Sequence, residues 1–116
     1  MQTFMVNAFS VAATTTNPNI LQGQPIQYWG KPGVLTLYGN ASAAGLSMAL
    51  SLNDGQQNLQ VVPTGSTIGV ASTAGKVKTN EDFIGQFAIP SAVQLMLPVT
   101  NTTAGPLTVN FIFAIT

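Results

Sequence analysis

The chain has 116 residues, about one domain's worth, and carries six charges: Lys31, Lys76 and Lys78 against Asp54, Glu81 and Asp82, for a net charge of zero. Charged residues make up 5% of it, where a soluble domain averages about 25%, and Arg, His and Cys are absent. That excludes disulfides and thiol chemistry, removes the commonest acid–base side chain, and leaves too few cations for the several phosphate contacts of non-specific nucleic-acid binding.

Polarity comes instead from 14 Thr, 9 Asn, 9 Gln and 7 Ser. With 46% apolar residues and a mean hydropathy of +0.34, the chain can bury a core. Zero net charge removes the long-range repulsion that keeps monomers apart. Neutral polar faces enter an interface without the desolvation cost of charge. Both features point to a surface that becomes buried against other subunits.

The first stretch, Met1–Ala13, is apolar, but it lacks a basic start and is interrupted by Asn7 and Ser10. It is read as a first strand over 3–11 rather than a signal peptide. Residues 1–19 are expected to act as an N-terminal arm and loop of a single domain spanning 1–116, with 12–19 the least ordered segment. Phe4, Met5, Val6 and Phe9 are its candidate anchors on a neighbour's sheet edge. Tyr28-Trp29, between Pro25 and Pro32, is the one Tyr–Trp cluster. It serves either as a contact or sugar-stacking site or as a plug at one end of the core.

A strand follows at 33–38. Leu46, Met48, Leu50 and Leu52 alternate with Ser47, Ala49 and Ser51, the period of a half-buried strand. Ala and Leu would also suit a helix over 41–50, but Gly45 and the alternation oppose it. Asn53-Asp54-Gly55 predicts a primed hairpin turn, with Leu59–Val62 returning antiparallel. Further strands are expected at 66–71, 76–79 (weakly) and 83–89. Another is expected at 92–99, placed at an edge or broken because Pro90 and Pro98 flank it. In the last segment residues 107, 109, 111, 113 and 115 are all apolar, which predicts a long central strand. Thr108 and Asn110 would lie on its exposed side as candidate interface residues.

Little in the chain suits catalysis. Glu81-Asp82 is the lone carboxylate pair, and neighbours in a strand face opposite ways. A Ser–Lys pair is the remaining nucleophilic option, and no phosphate loop or nucleophile elbow occurs. Four of the six charges fall within Lys76–Asp82, read as a solvated loop. Asn40-Ala-Ser42 and Asn101-Thr-Thr103 are N-glycosylation sequons, of a kind that a Thr/Ser/Asn-rich chain produces by chance. No metal or cofactor is implied. No segment has the roughly 18 continuous apolar residues of a spanning helix.

Eight or nine strands at 8–12-residue spacing, punctuated by Gly and Pro, predict an all-β fold. The architecture expected is an antiparallel β-sandwich, a single jelly roll of about eight strands. A carbohydrate- or receptor-binding module using Tyr28 and Trp29 is the alternative function on that scaffold, and a small membrane barrel fits less well.

Phe87-Ala-Ile-Pro90, Leu95-Met-Leu-Pro-Val99, a polar loop and Pro106-Leu-Thr-Val-Asn-Phe-Ile-Phe113 together form an apolar strand broken by Pro, then a closing aromatic strand. This resembles the single-jelly-roll penton and minor capsid proteins of tailless bacteriophages, with capsid decoration proteins of tailed phages next. The resemblance implies a non-enzymatic virion protein. Its partners would be itself, as a five-fold or three-fold homo-oligomer, and other capsid proteins. The absence of Lys and Arg from residues 1–20 sets it apart from shell proteins that line a genome and favours a vertex or outer position.

Overall fold

Alternating apolar residues and frequent Gly and Pro produce strands throughout. The computed structural model describes residues 2–23, 27–28, 31–71, 76–90 and 93–116, and no helix occurs among them. In chain order the strands are β1 (Gln2–Val11), β2 (Thr15–Asn17), β3 (Gln27–Tyr28), β4 (Gly33–Ala41), β5 (Leu46–Asn53), β6 (Asn58–Thr67), β7 (Phe83–Ile89), β8 (Val93–Met96), β9 (Val99–Asn101) and β10 (Leu107–Ile115). The front sheet has the order β1-β10-β4-β7 and is antiparallel throughout. In the back sheet β5 pairs β6 on one edge and β8 and β9 on the other, and these in turn pair β3 and β2.

Two of the back-sheet strands are single strands with a break. Pro98 has no N–H to donate, and its carbonyl accepts from Ala49 N–H at 3.1 Å. Leu97 N–H turns instead to Asn19 Oδ1, which also accepts from Leu21 N–H. Among the described residues this makes eight working strands: β1 pairs β10, β2/β3 pairs β8/β9, β4 pairs β7 and β5 pairs β6. A long hairpin wrapped across two facing sheets in this way is the winding of a jelly roll. The expected all-β sandwich is the fold.

Both inner faces close on one core. Leu46, Met48, Leu50 and Leu52 are all buried, as are Val109, Phe111, Phe113 and Ile115, and β10 is an inner strand between β1 and β4. Gly39 lies over Phe111, and a Cβ there would fall inside that ring, so β4 can approach only as glycine.

Several sequence expectations need correction. Residues 15–17 form β2 rather than part of an unstructured loop, and β1 is an integral strand of the front sheet. The segment at 66–71 is not a separate strand. β6 runs through Pro63 and Gly65 with register shifts against β5, and residues 76–79 form no strand. Of the two placements expected for the segment 92–99, the interrupted one holds: the strand breaks at Leu97–Pro98, and β8 lies inside the sheet between β5 and β3. The hairpin turn is a four-residue loop with positive φ at Gly55 alone. Asp54 Oδ1 accepts from Gln56 and Gln57 N–H, both at 2.9 Å.

The backbone donors of Gln57 and then Gln56 hold the Asp54 carboxyl below its usual value, against a smaller opposing effect of desolvation. A lowered folded-state value means that this loop's stabilisation is present above the ordinary Asp range and fades as pH falls through the folded value. An NMR titration is expected to show the Gln56 and Gln57 amides shifting together with Asp54 in acid. The Asp54→Asn variant should show no such step.

Candidate assembly surface

All six charged residues lie in loops, so none of the ten strands contains a charge. On the solvent side of the front sheet the strands therefore contribute no charge, and charge enters only with the 76–82 loop at one end. An antiparallel sheet with one face in water normally alternates apolar-in and polar-out. Here strand register places Met5 opposite Ile112, Ile112 opposite Tyr38, and Tyr38 opposite Phe83. These four large side chains form an apolar row across all four strands. Tyr38 and Phe83 meet edge to face, with ring centroids 5.9 Å apart. Ile112 and Tyr38 are half-covered by their neighbours, while the two ends stand out, Met5 57% and Phe83 53% exposed.

The same face carries a buried polar chain. Asn110 was expected on the exposed side of the last strand, and its direction is outward as the alternation requires, but it is buried. Its Oδ1 accepts from Ala8 N–H at 2.8 Å, and its Nδ2 donates to Asn40 Oδ1 at 3.1 Å. Asn40 Nδ2 donates to Lys76 O at 2.6 Å and to Asp82 Oδ2 at 3.2 Å, and Lys78 N–H reaches the same carboxylate oxygen at 2.7 Å. The 76–82 loop thus folds over Asn40. Asp82 is a buried anchor rather than part of a fully solvated loop.

The contact with Ala8 sits at a bulge in β1. Asn7 and Ala8 together face Asn110, and Ala8 takes a left-handed φ of 49°. One extra residue shifts the alternation, so the inward positions pass from Phe4 and Val6 to Phe9 and Val11. Val6 is therefore core, and Phe4 and Phe9 pack partly against it, whereas Met5 points outward. Thr108 is half-buried, its N–H donating to Ser42 Oγ at 3.0 Å. Tyr28 lies in β3 opposite Val93; its side chain and Trp29 lie outside the described residues.

Beside this face, the β6 and β7 edges of the two sheets border a cleft of about 440 Å³, lined by Val61, Pro63, Ile84 and Phe87 with Glu81 and Asp82 at its rim. Among the described residues no group of three or more metal-ligating side chains occurs. No helix among them is long and apolar enough to cross a membrane.

Both sequon asparagines are structural. Asn40 is held as above, and Asn101 Nδ2 donates to Val11 O at 3.1 Å and Gly105 O at 3.0 Å. Each amide nitrogen that a glycan would need is buried in the folded chain.

Comparison with protein-family models, with characterised proteins and with solved structures finds no match. What the surface does must be argued from its own chemistry.

Proposed function

We propose that this chain is a non-enzymatic structural protein of a virus particle, assembling through subunit contacts into the capsid shell in a vertex, minor or decoration role. The observation that carries the reading is the apolar row across the front sheet, on strands that carry no charge. Covering a large apolar side chain is worth about 1.5–3 kcal/mol, and contiguous exposed apolar surface marks interaction sites. Thr, Asn and Gln around the row can be buried without stranding a charge. The jelly-roll winding and the resemblance of the last thirty residues to small capsid proteins support the same reading. All three lysines lie in loops, so no strand face offers the positive charge that a genome-lining role needs.

Native mass spectrometry of the purified chain tests the proposal. Discrete multiples of 12.0 kDa are expected, and a 12.0 kDa species alone at high concentration would sink it.

A further inference from the structure

We infer that copies of this chain join edge to edge through the front sheet, β7 of one copy pairing antiparallel with β1 of the next, in a head-to-tail ring. This rests on the assembly reading above and specifies its contact.

Among the described residues, no strand pairs the outer edge of β1 or of β7. Proteins normally blunt such edges with charge, Pro or very short strands. The back sheet does so: β6 carries Pro63 and two register shifts, and β2 and β3 are three and two residues long. The front-sheet edges are ten and seven residues long, contain no charge and no Pro, and carry one register shift each, at Asn7–Ala8 in β1 and opposite Leu37–Tyr38 in β7.

Strand direction permits the join. In an antiparallel sheet of four, β1 and β7 run oppositely, so a copy rotated without being flipped brings its β1 antiparallel to β7. The apolar row agrees, because its two most exposed members are its ends. Joining β7 to the next β1 places Phe83 beside Met5 and covers both in one contact. A two-fold contact, β1 to β1 or β7 to β7, would leave one end bare on each copy. Charge selects the occupant: both edges are neutral, so a second copy meets no repulsion, while an acidic or basic partner finds no complement. A heterologous contact of this kind closes into a ring when its rotation permits.

The chain has no cysteine, so engineered pairs report the contact cleanly. Thr3 and Gln86 occupy the row next to Met5 and Phe83, through Ala114 and Thr36. Directly opposed Cα atoms in an antiparallel pair lie about 4.5–5.5 Å apart, within disulfide range. The variant Thr3→Cys with Gln86→Cys, and Thr3→Cys with Ala88→Cys for the adjoining register, are oxidised and run on a non-reducing gel, with light scattering on the wild type. The expected result is a ladder of covalent multiples from at least one double variant, ending in one closed ring, with each single variant remaining monomeric on the gel. Single variants that form covalent dimers would overturn the head-to-tail join in favour of a two-fold one. An oligomer by scattering with no cross-link from either pair overturns the edge contact and leaves the assembly reading standing. A monomer by scattering overturns both.

Discussion

Replacing Phe111 with Ala is expected to destabilise the fold by about 3–5 kcal/mol, a large share of the total stability of a domain this size. Phe111 is fully buried on the central strand of the front sheet. Its ring fills the space left by Gly39 and lies 6.2 Å from the Phe113 ring, centroid to centroid. The flanking strands are fixed by backbone pairing on both sides of β10, so the cavity cannot collapse freely. Urea denaturation measures the loss directly. A change below about 1.5 kcal/mol would mean that the core relaxes around the site.

Asn40→Leu is expected to cost about 3 kcal/mol, with a drop in Tm on the order of 10 °C. Leu keeps the branched shape and heavy-atom count of Asn, but it is bulkier and makes no hydrogen bond. It strands Asn110 Nδ2 and the Lys76 carbonyl and removes one of the two side-chain or backbone donors described on Asp82. A buried carboxylate that loses a donor is the costliest of these. Asn110→Leu breaks the same chain one link earlier and also strands Ala8 N–H at the bulge. The double variant should therefore cost less than the sum of the singles, because each removes a partner the other has already lost. Strict additivity would contradict the chain of bonds.

Much of the fold is legible from periodicity. The span 83–89 coincides with β7, and the Leu46–Leu52 alternation and the odd-numbered apolar residues of β10 place their faces correctly. Short strands escape because β2 and β3 hold two or three residues, too few for any period. Side chains such as Asn19 define them instead, bonding across the break in the partner strand. β6 escapes because Pro63 and Gly65 read as a stop, although an edge strand tolerates both.

The surface was legible only in part. The exposed, outward placement of Met5 follows from the alternation of β1 before its bulge. Val6 faces inward with Phe4, opposite Phe111, and the Asn7–Ala8 bulge then turns Phe9 and Val11 inward after it. Asn110 failed because a loop distant in sequence covers an outward position. The Met5–Ile112–Tyr38–Phe83 row depends on three strand registers at once, and none of these can be read from a single segment.

The central claim is that other copies of the chain cover the exposed ends of the apolar row. Sedimentation velocity across a concentration series, on the wild type and on Met5→Lys, tests it most directly. Met5 is the exposed end of the row on edge strand β1, so Lys can keep its stem on the sheet and its charge in water in the monomer. Against the Phe83 of a neighbouring copy the same charge would be buried without a partner. The account predicts a discrete oligomer for the wild type and a folded 12.0 kDa monomer for the variant. A variant that sediments with the wild-type oligomer, or a wild type that stays monomeric throughout, would contradict it.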